Sequence, residues 1–184
     1  MKIACIAWGS LLWKAGPLPV ASDWMADGPP LPLEFCRVGD GGELALTLAH
    51  GAALMQSRWA WLEVDDLETA RELLRQREQI TPQRPEWIGS VPVLHATPHD
   101  LAIGQWMHGR NIDAVVWTAL PPRSGGVEGR MPTLEQVLDY LDGLSGDVRA
   151  HARDYVQRTP TDIATPFREA IENRLGWLAH EAVV

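Results

Sequence analysis

Residues 3–13 of this 184-residue chain read Ile-Ala-Cys-Ile-Ala-Trp-Gly-Ser-Leu-Leu-Trp, and they decide how the fold begins. The apolar, β-prone run at residues 3–7 predicts a buried first strand. The run stops at Gly9-Ser10, where a glycine without a Cβ lets the backbone turn sharply and approach a ligand closely. A strand that ends in such a turn can aim successive backbone N–H groups at one point and bind an anion such as a carboxylate. The alternative is an ordinary strand-to-loop turn with aromatic side chains packed beside it.

The rest of the first half predicts further strands and then one helix. Residues 33–38 and 43–49 are β-prone and flank Gly39-Asp40-Gly41-Gly42, a strong hairpin signal. Residues 57–64 alternate tryptophan with smaller residues and predict another strand. A helix is predicted from Leu67, behind a capping aspartate, to about Gln79, because its leucines and alanine recur on one face.

The second half begins with short apolar pieces and ends with helices. Residues 92–96 and 103–107 predict short strands, and the run 113–120, rich in Val and Trp, predicts a further strand. Three helical patterns follow, from Thr133, over residues 147–158, and from Pro166 to about His180.

This order of elements predicts an α+β fold, with a mixed, mostly antiparallel sheet or small barrel surrounded by helices. The chain has 184 residues, of which 46% are hydrophobic, and that suffices for one well-formed core. We therefore expect a single domain over residues 1–184, with a helical C-terminal part from about residue 133 to 184.

The composition of the chain argues against several classes of binding partner. A formal charge of −8 argues against nucleic acid, which binds proteins mainly through Lys and Arg. No apolar run approaches the roughly 20 residues that cross a bilayer, so we expect a cytoplasmic protein without a membrane partner. Cys5 and Cys36 lie in apolar runs, and neither they nor the histidines have metal-ligand spacing. We therefore expect no metal and no cofactor.

Trp8-Gly9-Ser10-Leu11-Leu12-Trp13 resembles the Tyr-Gly-Ser-Leu-x-Trp signature of the gamma-glutamylcyclotransferase superfamily, especially its ChaC-like branch. Three more segments are similar to that branch in the same order: Leu33 to Arg37, Leu44 to Leu48 followed by Gly51, and Leu73 to Glu78. The resemblance covers roughly residues 1–80, and the chain beyond matches only loosely. Taken together, the chain looks like a bacterial subgroup of the superfamily.

The resemblance implies an amine-releasing cyclotransferase (lyase) reaction that uses no cofactor and no metal. A γ-glutamyl amide would cyclise through its own α-amine to 5-oxoproline, with Glu78 as the acid/base. Trp8 and the backbone N–H groups of Gly9, Ser10 and Leu11 would hold the substrate, whose carboxylate could also pair with Arg37. Glu78 lies beside the apolar face of its predicted helix, which is compatible with partial burial.

Each assignment has an alternative. Glu78 stands in a charged run and could be a solvated side chain, and Arg37 could form a structural ion pair. The superfamily has a tyrosine where this chain has Trp8, so the indole lacks a phenolic oxygen to accept a hydrogen bond. A non-catalytic small-ligand-binding or regulatory domain is therefore the second candidate. A cysteine amidase is the third, and no motif supplies its base. The pattern specifies neither the leaving group nor the oligomeric state.

Overall fold

The computed structural model describes residues 1–92 and 98–180. Its strands are β1 (Ile3–Ala7), β2 (Pro30–Val38), β3 (Leu44–Leu48), β4 (Leu54–Gln56), β5 (Arg58–Leu62), β6 (Ile88–Val91), β7 (Ala114–Thr118), β8 (Arg123–Ser124) and β9 (Val127–Glu128). Its helices are α1 (Leu67–Arg77), α2 (Pro98–Met107), α3 (Leu134–Asp142), α4 (Gly146–Arg158) and α5 (Pro166–Leu175). The predicted α+β class is confirmed.

The chain divides into two compact units. The first comprises Met1–Leu31 and Gln56–Leu120, and the second comprises Pro32–Met55 and Pro121–Val184. Each unit combines strands with helices. The expectation of a single domain with its helical part from about residue 133 to 184 stays a prediction.

A mixed four-stranded sheet forms the first unit, in the order β5-β1-β7-β6. The central pair β1 and β7 is parallel, with Ile6 opposite Trp117, whereas β5 and β6 run antiparallel to their neighbours. Every residue of β1 is buried, as its unbroken apolar sequence predicts for a central strand. The predicted first strand is confirmed.

Helix α1 packs on one face of this sheet. Asp66 caps its N-terminus by accepting a hydrogen bond from the amide of Thr69, and Ala70 and Leu74 are fully buried. The predicted start at Leu67 is confirmed, and the helix ends at Arg77, slightly before the predicted end. The core beneath the helix consists of apolar residues from the sheet, the helix and the adjoining loops: Ile3, Cys5, Ala7, Leu11, Leu18, Leu62, Ala70, Leu74, Ile80, Ile88, Ala114 and Val116.

The second sheet has the order β3-β2-β8-β9, with β4 also paired to β2. The predicted hairpin is confirmed: β2 and β3 run antiparallel, with a register shift between Phe35 and Arg37. Helices α3, α4 and α5 belong to the second unit, and α3 begins at the predicted Thr133, which forms a capping box with Gln136. The rings of Phe35 and Tyr155 meet edge to face at 6.3 Å in its core.

Some predicted elements were wrong. Residues 103–107 form the second half of α2 rather than a strand. Ile103 and Trp106, three residues apart, are buried, while Leu101 is 61% exposed, so the segment buries one helical face. Strand β6, at Ile88–Val91, was not predicted, and residues 93–96 of the strand expected nearby lie outside the described residues.

Two further elements have boundaries that differ from the predicted ones. Helix α5 ends at Leu175 rather than near residue 180, because Gly176 adopts a left-handed conformation with φ of 69° and terminates the helix. Strand β2 begins at Pro30, three residues before the predicted β-prone run that starts at residue 33. Within the described residues, no helix has both the length and the apolar character needed to cross a membrane.

Candidate functional site

The site forms where the parallel strands β1 and β7 end side by side. Their register brings Ile6 opposite Trp117, so the residues that follow both strands emerge at the same edge of the sheet. After β1 the chain passes through Trp8 and Gly9 into a single 3-10 turn at Ser10–Leu12. Thr118 ends β7, and Glu78 is the C-cap residue of α1 on the covering face. This edge therefore holds most of the predicted site residues.

Arg77 links the turn to Glu78. Its Nη1 donates to Glu78 Oε1 at 2.9 Å, and its Nη2 donates to Ser10 Oγ at 3.0 Å. Its Nε and Nη2 both donate to the carbonyl oxygen of Lys14, at 3.0 and 2.7 Å. The side chains of Arg77 and Glu78 are only 11% and 13% exposed, so this ion pair is screened less by solvent than a surface pair.

The two oxygens of the Glu78 carboxylate differ in their hydrogen bonds. Thr118 Oγ1 donates to Oε1 at 3.0 Å, so Oε1 accepts hydrogen bonds from both Thr118 and Arg77. Oε2 accepts none from any residue that the structure describes. A carboxylate held through one oxygen keeps the other available for a proton or a ligand.

The turn after β1 has the geometry of a helix start. The amide of Leu12 donates to Gly9 O at 2.9 Å, and that of Lys14 donates to Ser10 O at 2.8 Å. The amides of Ser10 and Leu11 open the turn, so no carbonyl within the turn is in position to accept from them. The Leu11 side chain lies in the core, which leaves its backbone as the part that could serve a ligand. Anion binding at this turn stays a prediction.

Two positions beside the turn are tightly packed. Trp8 is buried, with 5% exposure. Gly16 has a φ of 62°, and a Cβ there would lie 3.2 Å from Cγ of Arg77. Glycine therefore fits this position for two reasons: the backbone is left-handed, and the arginine stem passes close by.

The cysteines are poor nucleophiles here. Burial raises the pKa of the Cys5 thiol well above its usual range, and the negative charge of Glu78 adds to that effect while Arg77 opposes it. Burial also raises the pKa of Cys36 to about 11. Thiolates, the reactive form, are disfavoured at both positions, which argues against a cysteine amidase.

Arg37 belongs to the second unit and pairs with a carboxylate of that unit. Its Nη1 and Nη2 donate to the two oxygens of Glu128 at 2.6 and 3.1 Å, and Nη1 also donates to Pro121 O at 2.9 Å. A substrate carboxylate would have to compete with Glu128 for this guanidinium. A substrate role for Arg37 stays a prediction, and the pairing favours the structural alternative.

Sequence reasoning missed Arg77 and Thr118. Arg77 directly precedes Glu78 in a charged run, which by itself indicates only a solvated helix end. Thr118 is the one hydroxyl residue within β7, at its carboxyl end, and that position was the available signal. Across residues 1–92 and 98–180, no group of three or more His, Cys, Asp or Glu side chains is placed to hold a metal ion.

Comparison with known proteins assigns no family. No profile of a known protein family matches the sequence, and no curated protein matches it significantly.

Proposed function

We propose that the protein is an enzyme of the gamma-glutamylcyclotransferase type, which converts a γ-glutamyl amide into 5-oxoproline and a free amine. One observation carries the proposal: Arg77 binds Ser10 and Glu78 at once, so the predicted anion-binding turn and the predicted acid/base belong to one hydrogen-bonded cluster. With this activity we also propose a gamma-glutamylcyclotransferase-like fold and a cytoplasmic location.

The substrate would bind through its amino-acid head. Its α-carboxylate would accept hydrogen bonds from the amides that open the turn, at Ser10 and Leu11, where the partial positive charge of a helix start also favours an anion. Its α-amine would then face Glu78. A small substrate carrying a carboxylate is therefore the proposed partner.

The reaction is a transfer within one molecule. The α-amine nitrogen attacks the γ-carbonyl carbon, a new C–N bond closes the five-membered ring, and the C–N bond to the leaving amine breaks. Glu78 Oε2 takes the proton from the attacking nitrogen and returns it to the leaving nitrogen, so the step consumes no water and leaves the carboxylate as it began. Holding amine and carbonyl together supplies much of the rate through proximity.

A second candidate is a non-catalytic domain that binds a related small ligand. Trp8, in place of the superfamily's tyrosine, favours it, because an indole cannot accept a hydrogen bond where a phenol can. This candidate keeps the turn as the binding site and gives Glu78 a binding role alone.

Incubation with a panel of γ-glutamyl amides tests both candidates. The proposal predicts 5-oxoproline and released amine in equal amounts, detected by chromatography. The matched control is the N-acetylated form of each active substrate, which keeps the scissile amide but lacks the nucleophilic amine, and should give no product. Binding without turnover, measured by calorimetry, would establish the second candidate. Neither binding nor turnover across the panel would overturn both.

A further inference from the structure

We propose that Arg77 is a positioning residue, which holds the Glu78 carboxylate and the Ser10 hydroxyl in one fixed arrangement for the reaction. The inference rests on the function proposed above. Arg77 was not among the residues that the sequence indicated, and its place in the site follows from its contacts.

Three acceptors hold the Arg77 guanidinium in place. One is the carbonyl oxygen of Lys14, which takes two hydrogen bonds, and the Lys14 amide is itself bonded to Ser10 O at 2.8 Å. The others are Ser10 Oγ and Glu78 Oε1. Because the guanidinium is planar and its donors point in fixed directions, meeting three acceptors leaves it little freedom to turn toward a substrate. Its role is therefore to fix its neighbours.

The direction of each hydrogen bond follows from the chemistry of Arg77. A guanidinium only donates, so Ser10 Oγ accepts from Arg77, and the hydroxyl hydrogen of Ser10 remains to donate elsewhere. Glu78 Oε1 accepts from Arg77 and Thr118, which leaves Oε2 as the oxygen that can accept from a ligand. The cluster thus presents a donor on the Ser10 side and an anionic acceptor on the Glu78 side.

This polarity matches the head of an α-amino acid. A carboxylate fits the Ser10 hydroxyl and the turn amides, and an amine fits Glu78 Oε2. Without Arg77, the carboxylate would lose its ionic partner and the hydroxyl would be free to rotate toward Glu78. Turnover should then fall more than substrate affinity, because the turn amides remain.

The test compares Arg77→Met and Arg77→Lys with the control Arg75→Met. Arg75 lies on the same helix and pairs with Glu72 instead of Glu78, so the control removes an arginine away from the site. We expect Arg77→Met to lower kcat about a hundredfold, with a smaller change in KM. Arg77→Lys should restore part of kcat, and Arg75→Met should behave as wild type.

An activity-independent measurement separates this inference from the proposed function. The chemical shift of the Glu78 carboxyl carbon, which senses the contact with Arg77, is measured by NMR at one pH in wild type, Arg77→Lys and Arg77→Met, with folding checked by urea titration. If the wild type forms no 5-oxoproline, the proposed function fails, and an unchanged Glu78 chemical shift in the arginine variants then overturns the inference as well. If the wild type is active and folded variants keep its kcat and KM, only the positioning role of Arg77 is wrong. Should Arg77→Met not fold, Arg77→Lys decides.

Discussion

Glu78 in the first unit and Glu34 in the second both have low solvent exposure, but their carboxylates differ in their hydrogen-bond partners. Glu78 has an arginine partner, keeps one oxygen without a described donor, and is 13% exposed. Glu34 is 4% exposed and accepts hydrogen bonds at both oxygens, from the amides of Phe35 and Phe167 and the hydroxyl of Thr165.

The difference separates the carboxylate that we propose as the acid/base from a structural one. Thr165 is the N-cap of α5 and Phe167 lies in its first turn, so Glu34 ties β2 to the start of that helix. With both oxygens engaged, Glu34 cannot exchange a proton without losing a contact. Glu78 can, because among the described residues only its Oε1 accepts hydrogen bonds. Burial alone therefore does not mark the proposed acid/base; an oxygen without a donor among the described residues, beside the proposed anion-binding turn, is what sets Glu78 apart.

The largest expected effect is on turnover in Glu78→Gln. The amide keeps the size of the carboxylate and can still accept hydrogen bonds, but it cannot carry the proton, so activity should fall by about a hundred- to ten-thousandfold. The rate of 5-oxoproline formation measures it. Glu34→Gln is the matched control and should retain the wild-type rate if it folds. Equal rates in wild type and Glu78→Gln would show that Glu78 is not the acid/base, and that the two carboxylates do not differ in function.

Glu34→Ala should reverse the pattern, with a large effect on stability. It strips the acceptor from two amides and one hydroxyl in the second unit, and an unsatisfied buried donor costs about 1–3 kcal/mol. We expect the free energy of unfolding to fall by about 3 kcal/mol. Urea titration followed by tryptophan fluorescence provides the measurement. If Glu34→Ala lowered the free energy of unfolding by less than Glu78→Gln does, the structural role of Glu34 would be contradicted.

Thr118→Val should have a smaller effect, which we expect on kcat rather than on the free energy of unfolding. The substitution keeps the shape of the side chain and removes one hydrogen bond to Glu78 Oε1, worth about 0.5–1.5 kcal/mol. We expect kcat to fall by roughly two- to tenfold. Thr118→Ser retains the hydroxyl and should stay near wild type. If the valine and serine variants lose activity equally, packing rather than the hydrogen bond explains the effect.

The smallest expected effect is a slope of stability with pH. Burial raises the pKa of Glu34, and hydrogen bonds from Thr165, Phe35 and Phe167 offset part of that rise. The folded state therefore binds the Glu34 proton more tightly than the unfolded state does. As pH rises from the unfolded value near 4.5 through the raised folded value, Glu34 should lower the free energy of unfolding.

Glu34→Gln removes this slope. The difference in free energy of unfolding, wild type minus variant, should decrease as pH rises from about 4 to 7, measured by urea titration at each pH. A difference that increases with pH would show that hydrogen bonding, not burial, dominates at Glu34.

Local sequence patterns determined much of the fold. The unbroken apolar run of β1, the glycine-rich hairpin between β2 and β3, and the capping residues of α1 and α3 are features of adjacent residues. Periodicity and capping report such short-range preferences directly, so these elements were predictable. The turn after β1 and the position of Glu78 at the end of α1 followed from the same patterns and from the resemblance.

Tertiary structure decided what surrounds those residues. Arg77 meets Ser10 across 67 positions, Thr118 meets Glu78 across 40, and Arg37 meets Glu128 across 91. The first two contacts depend on β7 lying parallel beside β1 and on α1 covering that pair, and the third depends on β2 meeting β8. Strand order is set by the packing of the whole sheet rather than by any local period. The turn at Ser10 and the carboxylate of Glu78 could therefore be predicted from the sequence. The contacts that Arg77 and Thr118 make with them depend on the tertiary structure.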